Sequence, residues 1–356
     1  TAHTSNRTDI MTQEWTSFLA GQGFAADGGT FGDLSGELAA ARDASVIAPL
    51  ADQGVIRASG ADTADFLHNL MTNDIKGIAV DSARFAGLCT AKGRLLALFL
   101  IWRDGEDFLL MLPRDVLPGM LKKLSMYVLR AKVKLSDASE EFALLGHSVS
   151  GAVSPAPTLI AASGDLPRFG ATGIPGGRAI RLDDHRWLFA LDPALATETW
   201  QNLKASARPV GLAAWNWLEI AAGQPRIVAA TQEAFVPQML NMELPAVAGV
   251  SFTKGCYPGQ EIVARTQYLG KVKRRTFRAR IGATAMPGTH VFAPETGDQH
   301  CGAIVSLAPS LAGGHECLVC VQIGAREAGD VRVGSLDGER LEFLTLPYAI
   351  NDEQSA

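Results

Sequence analysis

The stretch KGCYPGQEIVARTQYLGKVKRRTFRARIG, residues 254–282, contains the point where a helical pattern gives way to a strand pattern. Pro258-Gly259 precedes QEIVARTQYL, in which a proline at the start and an acidic residue in the first turn predict a helix. From residue 271 onward, short apolar runs are separated by Gly, Pro and Asp turns, and no helical pattern lies between them. We therefore expect a small all-β barrel or sandwich over residues 271–350.

Upstream of this boundary, strand and helix patterns alternate in mixed order. Residues 1–45 predict a polar leader and a helix, and residues 46–149 predict a first α+β domain with a helix near 114–129. A Gly-, Pro- and Ala-rich connection begins a second α+β domain at 150–270, with a further helix near 193–205. The fold class expected from these patterns is α+β, with two α+β domains followed by the barrel.

Composition limits the classes of partner and location. The 356 residues carry a formal net charge of −5, which argues against nucleic acid or an anionic membrane as a partner. No apolar run approaches the roughly 18–20 residues that a membrane helix needs, and the polar start lacks a signal-peptide core. The five cysteines are odd in number and irregularly spaced, which argues against a disulfide framework. A cytoplasmic location is expected, and no coiled-coil seam indicates an oligomeric state.

One of these cysteines stands in an unusual context. Cys256 lies in a glycine-flanked loop directly ahead of the predicted helix, whose N-terminal N–H groups favour an anion. Lys254 adds a positive charge nearby, and both influences favour thiolate over thiol. The alternative is a buried, inert loop cysteine. The loop chemistry favours a reactive group, with Cys256 and Lys254 as candidate catalytic residues.

The motif K-G-C-Y-x-G-Q-E closely resembles the signature of the YgfZ family, folate-binding proteins related to the glycine-cleavage T-protein. The resemblance covers roughly residues 46 to 345 and is most specific at this motif. The other matching segments, upstream of the motif, are Gly223-Gln224-Pro225-Arg226-Ile227, Thr231, Phe235-Val236-Pro237-Gln238, Asn241-Met242-Glu243, Gly60-Ala61-Asp62, Phe66-Leu67, Thr72-Asn73-Asp74 and Ala91-Lys92-Gly93-Arg94.

This resemblance implies a T-protein-like ring of two interleaved α+β domains and a C-terminal β-barrel around a central channel. Tetrahydrofolate, or a one-carbon-substituted form, would bind in that channel. In this family the cysteine is linked to maintenance or repair of iron–sulfur clusters in other enzymes. The implied partners are therefore iron–sulfur enzymes or their assembly machinery.

The resemblance also implies folate contacts. Glu219 would accept N–H groups of the pteridine ring, although a solvated glutamate on a helix face is an equal alternative. The turn Asn73-Asp74 could line the channel or could equally end a helix. The remaining candidate folate-binding residues are Arg226, Gln238, Tyr257, Gln260 and Glu261.

Aminomethyl transfer is the sister activity, and one segment argues against it. The T-protein pattern has an aspartate pair shortly after a Gly-Gly, whereas this chain has the segment 92–98, KGRLLAL, without a carboxylate. Leu96 and Ala97 cannot orient the folate nitrogen or manage its proton. We therefore expect an accessory factor rather than an ordinary aminomethyltransferase, with a folate-dependent one-carbon transferase as the alternative function.

The chemical role of Cys256 stays open at this point. It could be a nucleophile or one-carbon acceptor, a transient thiolate ligand to iron, or a redox-sensitive thiol. One cysteine cannot hold a cluster alone, so transient participation is favoured over stable binding. A non-catalytic scaffold with a structural cysteine is a further alternative.

Two other patterns are interpreted as structural. Cys317-Leu318-Val319-Cys320 has C-x-x-C spacing but lies in a continuous strand pattern, where residues three apart point to opposite faces. Five other histidines show no metal-ligand spacing and no Ser or Cys partner in a known nucleophile pattern: His3, His68, His147, His185 and His290.

Basic residues crowd the start of the predicted barrel. Such a run is usually a solvated strand face, but its position after the cysteine helix also permits a basic rim for the glutamate tail of folate or an acidic partner. RNA is a third option, but Phe277 is the only aromatic residue among these cations and the protein is acidic overall. The residues are Lys271, Lys273, Arg274, Arg275, Arg278 and Arg280.

Overall fold

The computed structural model describes residues 13–150, 166–268, 270 and 272–350. Residues 1–12 of the expected leader, much of the Gly- and Pro-rich connection (151–165) and Lys271 lie outside the described residues.

The helices agree with the sequence pattern where local signals are strong. Asp192 precedes helix α5 (Pro193–Lys204), and its side chain accepts a hydrogen bond from the N–H of Ala194 at 2.9 Å, while Pro193 occupies the first turn. The predicted helices near 114–129 and 193–205 are confirmed as α4 (Leu117–Val128) and α5. The helices are α1 (13–21), α2 (Leu34–Asp43), α3 (Thr63–His68), α4 (Leu117–Val128), α5 (Pro193–Lys204), α6 (Leu212–Ala221), α7 (Gln260–Tyr268) and α8 (Ile323–Ala328).

The strands form three sheets, so the fold class is α+β as expected. They are β1 (Val46–Pro49), β2 (Gln53–Ser59), β3 (Ala83–Cys89), β4 (Leu95–Asp104), β5 (Asp107–Pro113), β6 (Lys134–Asp137), β7 (Ala143–Ser148), β8 (Ala171–Ile174), β9 (Gly177–Arg181), β10 (Arg186–Leu191), β11 (Arg208–Pro209), β12 (Arg274–Ile281), β13 (His290–Phe292), β14 (Gly302–Pro309), β15 (His315–Gln322), β16 (Arg332–Val333) and β17 (Glu342–Leu344).

Contacts divide the chain into two compact units, each built from discontinuous segments. Unit 1 comprises Thr1–Thr63, Ile78–Ala83 and Ile101–Trp215, and unit 2 comprises Ala64–Gly77, Arg84–Leu100 and Asn216–Ala356. The boundaries 46–149, 150–270 and 271–350 stay a prediction.

Unit 1 contains a six-stranded sheet in the order β11-β1-β7-β10-β9-β8. Its core is aromatic: Trp187 and Phe189 of β10 pack with Trp200 of α5 and with Trp15 of α1. In the same unit β2 pairs antiparallel with β5 and with β6. Nearly continuous apolar runs in β5 and β10, which are buried along most of their length, explain why strands could be predicted there from the sequence.

Unit 2 contains the second six-stranded sheet, in the order β16-β13-β14-β15-β12-β17. The expectation that no helix interrupts these strands is wrong, because α8 follows β15. This helix is only six residues long, and it ends at Gly329, whose φ of +81° closes the last turn. Six residues are too few to give a helical period in the sequence.

The two cysteines of the C-x-x-C pattern are buried in the sheet of unit 2. Cys317 belongs to the apolar core of this sheet, together with Ile281 and Val319, and Cys320 is buried on the same strand β15. Among the described residues no helix is long and apolar enough to cross a membrane.

Candidate functional site

The KGCY loop, defined here as residues 254–259, leads directly into α7 and packs tightly on another turn of unit 2. Gly259 has a φ of +81°, and a Cβ at this position would stand 2.4 Å from the carbonyl oxygen of Thr90. It would also stand 2.6 Å from the Cα of Gly93, which itself has a φ of +70°. Both glycines are therefore needed for the close approach of the loop to the Thr90–Gly93 turn.

The five cysteines differ sharply in accessibility. Cys256 is exposed, whereas Cys89, Cys301, Cys317 and Cys320 are buried. Burial raises the pKa of Cys301 to about 11 and that of Cys89, Cys317 and Cys320 to about 12. Cys256 is therefore the cysteine that solvent and reagents reach first.

Lys254 ties the loop to the segment that follows α3. Its ammonium donates hydrogen bonds to the carbonyl oxygens of His68 and of Met71, the latter at 2.7 Å. It also lies 5.0 Å from the ring centre of Tyr257. Burial lowers the pKa of Lys254 to about 8, and the neighbouring Asp74 carboxylate, with a smaller contribution from Cys256, opposes that shift. A partly buried cation is thus held close to the Cys256 thiol.

The segment Thr72-Asn73-Asp74 is a structural bridge. The Thr72 hydroxyl donates to the Gly249 carbonyl at 2.7 Å, and the Asn73 amide donates to the carbonyls of Phe85 at 2.9 Å and Ala248 at 2.8 Å. Both amide hydrogens of the buried Asn73 are therefore used internally. Asp74, in contrast, is 40% exposed at its side chain.

His68 is the residue that sequence reasoning missed. Its Nδ1 lies 3.1 Å from Oδ1 of Asp74, and its Nε2 lies 3.9 Å from where a Cβ of Gly255 would stand. That His68 has no nucleophile partner stays a prediction, since these distances join its ring to Asp74 and to the backbone of the loop. His68 lies between Phe66-Leu67 and Thr72-Asn73-Asp74, two segments of the family match, and that position was the available signal.

Other candidate folate contacts have mixed surroundings. The Gln238 amide is fully buried and donates to the carbonyl of Val263 at 2.7 Å, which fixes it to α7. Tyr257 is buried under Lys254, and burial raises the pKa of its phenol. Gln260 and Glu261 form the first turn of α7, with Glu261 exposed.

Glu219 and Arg226 lie together in unit 2. Oε2 of Glu219 is 3.8 Å from Nη1 of Arg226, which also donates to Oδ1 of Asn216 at 2.8 Å. The two side chains are 20% and 17% exposed, so both remain within reach of a ligand. Their roles, like those of the other predicted folate contacts, stay predictions.

The basic rim expected at the start of the barrel is largely neutralised. Arg275, Arg278 and Arg280 are paired with Glu243, Glu316 and Glu342. The hypothesis of a rim for acidic ligands is therefore wrong for these three residues, because carboxylates from other strands and turns of unit 2 complete their pairs. Within the described ranges no group of three or more His, Cys, Asp or Glu side chains is placed to hold a metal ion.

The fold resembles a solved aminomethyltransferase. The structure of glycine cleavage system aminomethyltransferase T from Bartonella henselae matches with a TM-score of 0.69 over 89% of each chain. At 16% sequence identity this likeness shows the fold alone. No family model matches the chain.

Curated relatives share the name tRNA-modifying protein YgfZ. The protein from Photobacterium profundum is 30% identical over 310 residues, which cover 85% of this chain and 92% of that protein. The protein from Photorhabdus laumondii is 31% identical over 86% of this chain and 93% of that protein, and one from Escherichia coli is 31% identical over 70% and 76%. The chain belongs to the YgfZ family.

Proposed function

We propose that this protein binds tetrahydrofolate, or a one-carbon-substituted form, and assists the assembly or repair of iron–sulfur enzymes in the cytoplasm. The observation that carries the proposal is the contrast between Cys256 and the other cysteines. One thiol is exposed on a loop fixed by glycine packing and by Lys254, whereas four are buried. A loop held in this way keeps its thiol accessible to solvent and to reactants, whereas a structural cysteine is usually buried.

The proposed contacts to the pteridine part of folate are two carboxylates of unit 2. The partly exposed side chains of Glu219 and Asp74 can accept N–H groups from the ring. The buried Asn73, Gln238 and Tyr257 would support these positions rather than contact folate, since their polar groups or rings already serve internal contacts. Bound folate would supply a carrier for a one-carbon unit.

An ordinary aminomethyl transfer is the alternative, and the same unit argues against it. Leu96 and Ala97 are 5% and 0% exposed, and both lie in the strand β4. Apolar side chains at the place expected for an aspartate pair cannot exchange a proton with folate. An accessory role for Cys256 is therefore the better proposal.

The proposed role of Cys256 is a transient thiolate ligand to iron or to a cluster in transit. Thiolates are the usual ligands of iron–sulfur clusters, and a cluster commonly takes four. A single exposed cysteine offers one ligand, so the cluster is a substrate that passes through and is held mainly by the client enzyme.

The test uses cells that lack this protein, with a radical-type iron–sulfur enzyme as the readout. The native chain is expected to restore that enzyme's activity, and Cys256→Ala is expected to fail although it accumulates to the same level. Cys89→Ala, which removes a buried thiol, is the matched control and should restore activity. Restoration by Cys256→Ala would show that the loop cysteine is structural.

A second candidate function, tRNA binding, is favoured by one surface of unit 1. The relatives are named tRNA-modifying, and the segment 122–134 of this chain carries five cations and no acidic residue. Met126, Tyr127 and Leu129 are 60%, 40% and 88% exposed among these cations. Within the described part of the chain, none of the five cations forms an ion pair with a carboxylate; they are Lys122, Lys123, Arg130, Lys132 and Lys134.

The net charge of the whole protein argues against nucleic acid as a partner, but it does not exclude such a local patch of positive charge. Assistance to an iron–sulfur enzyme that modifies tRNA would unite both candidates.

Binding of unmodified tRNA tests the second candidate. Lys122→Glu/Arg130→Glu is expected to weaken binding and to lower the slope of log affinity against log salt by about two. The charge-matched control Arg42→Glu/Lys204→Glu, on α2 and α5, should leave both quantities near the native values. Equal losses in the two variants would indicate a general charge effect and remove this surface from consideration.

A further inference from the structure

A cavity of about 380 Å³ lies in unit 2 beside the strands β12 and β17. Its volume is within the range of small-ligand sites in proteins. Strand β12 contributes Arg275 and Phe277, which are two residues apart and therefore on the same face of the strand. Helix α8 contributes Arg326, and the segment 343–350 contributes aromatic and aliphatic side chains. Among the described residues that line the cavity, none is a proposed folate contact.

Three aromatic rings give the cavity walls suited to a flat apolar group. The rings of Phe277 and Phe343 meet edge to face, with their centres 6.2 Å apart. Tyr348 forms another part of the wall, and its hydroxyl donates a hydrogen bond to the Gly223 carbonyl at 2.9 Å. A Cβ at Gly223 would stand 2.6 Å from Cε1 of Tyr348, so this turn packs closely against the ring. The wall is therefore fixed before a ligand arrives, which lowers the entropic cost of binding.

Arg326 borders the cavity and is exposed to solvent. Its guanidinium lies 4.8 Å from the ring centre of Phe277 and 5.8 Å from that of Phe343. Within the described ranges no carboxylate forms an ion pair with it. Stacking uses the face of a guanidinium and leaves its N–H donors, which lie in its plane, for another acceptor. Arg275, in contrast, is already paired with Glu243, so Arg326 is the cation available to a ligand in this cavity.

The charges beside the cavity favour a singly charged anion. Glu327 follows Arg326 on α8 and also borders the cavity, but it is exposed, so water and salt screen its charge. One available guanidinium beside a solvated carboxylate matches a monoanion better than a dianion. A guanidinium binds a carboxylate group through two parallel hydrogen bonds. The surrounding rings favour an aromatic body on such a ligand.

We propose that this cavity binds a small aromatic carboxylate, with Arg326 holding the carboxylate and with Phe277, Phe343 and Tyr348 surrounding the ring. The site is separate from the proposed folate contacts Glu219 and Asp74, neither of which lines it. Binding here needs no thiol and no iron, so the inference does not depend on the role proposed for the KGCY loop.

The experiment uses two fluorescent probes that differ by one charge. Anilinonaphthalene sulfonate has an aromatic body and a sulfonate, which stands in for the carboxylate, and phenylnaphthylamine is its uncharged counterpart. Both are titrated into the full chain and followed by their fluorescence. Arg326→Gln is expected to weaken binding of the sulfonate probe about tenfold or more, because a charge-assisted pair is lost, and to change binding of the uncharged probe by less than about twofold.

Two further variants test whether this effect is local. Glu327→Gln should strengthen binding of the sulfonate probe about twofold, because it removes a negative charge beside the cavity. Arg265→Gln replaces an exposed arginine on α7 that does not line the cavity, and it should match the native protein with both probes. Equal losses in Arg326→Gln and Arg265→Gln would mean that the probe responds to general charge, and they would overturn the assignment of Arg326.

Competition for the sulfonate probe tests the chemistry of the ligand. Indoleacetate should displace the probe from the native chain, and its uncharged analogue indoleacetamide should do so about tenfold less well. Displacement by tetrahydrofolate at an equal or lower concentration would assign the cavity to the folate site and would overturn the proposal of a separate one. Absence of saturable binding of either probe to the native chain would overturn the inference and leave the function proposed for Cys256 unaffected.

Discussion

Replacing Gly259 with alanine is expected to displace the KGCY loop from the Thr90–Gly93 turn and, with it, the Cys256 thiol. The added Cβ would meet the carbonyl oxygen of Thr90 at 2.4 Å and the Cα of Gly93 at 2.6 Å. Both neighbours are backbone atoms and cannot rotate away, and the φ of +81° is itself unfavourable for alanine. We expect a loss of roughly 2–5 kcal/mol in the free energy of unfolding, measured by urea denaturation.

The control for this substitution is Gly119→Ala. Gly119 lies in α4, and a Cβ there would have no heavy atom within 4 Å. Its replacement should be neutral or should add about 0.5–1 kcal/mol through helix propensity. If Gly259→Ala were as stable as Gly119→Ala and still restored the iron–sulfur enzyme, close packing of the loop could not be what holds the cysteine in place.

Arg275→Met is expected to be the most destabilising single change in the sheet of unit 2. Arg275 and Glu243 form an ion pair whose side chains are only 7% and 6% exposed, and Arg275 also donates to the Gln238 carbonyl at 3.3 Å. Removing the guanidinium leaves Glu243 as a buried carboxylate that must stay charged or take up a proton. Burial already raises the pKa of Glu243. The expected loss is about 3–5 kcal/mol in the free energy of unfolding.

Two variants separate this effect from the loss of a side chain on β12. Arg280→Met, on the same strand, breaks a pair whose members are 33% and 59% exposed and should cost about 0–1 kcal/mol. The double variant Arg275→Met/Glu243→Leu should recover most of the stability, because no charge is then left buried. A double variant as unstable as Arg275→Met would contradict this account and indicate lost packing.

Much of the fold could be predicted because its elements carry strong local patterns. Helix α5 begins with Asp192-Pro193, and β15 is a continuous apolar run, so both could be predicted from sequence alone. Helix α8 could not, since a helix of six residues gives no period and is held by its packing. The ion pairs of β12 were also hidden, because Glu243, Glu316 and Glu342 are distant in sequence from their arginine partners.

The candidate site was predictable only in part, for a similar reason. Cys256 and Lys254 belong to one motif. Its glycines and the helix that follows it are enough to predict an accessible thiol near a positive charge. His68 lies 186 residues before Lys254, and its one signal in the sequence is its position between two segments of the family match, so only the folded chain shows it beside the loop. Asn73 is the opposite case. The motif predicts it as a folate contact, while in the structure its amide donates hydrogen bonds to two backbone carbonyls.

The bridge between Thr72-Asn73 and the residues before the KGCY loop has a consequence for biogenesis. Thr72 and Gly249 are separated by 177 residues, and Lys254 and Met71 by 183. Closing contacts of such length is entropically costly and slow, so they form late in folding. During synthesis, Met71 and Thr72 cannot form these contacts until residues 249–254 have left the ribosome. A nascent chain that ends before residue 254 would therefore lack these contacts, and the surroundings of Cys256 form only when both halves of the bridge have been synthesised.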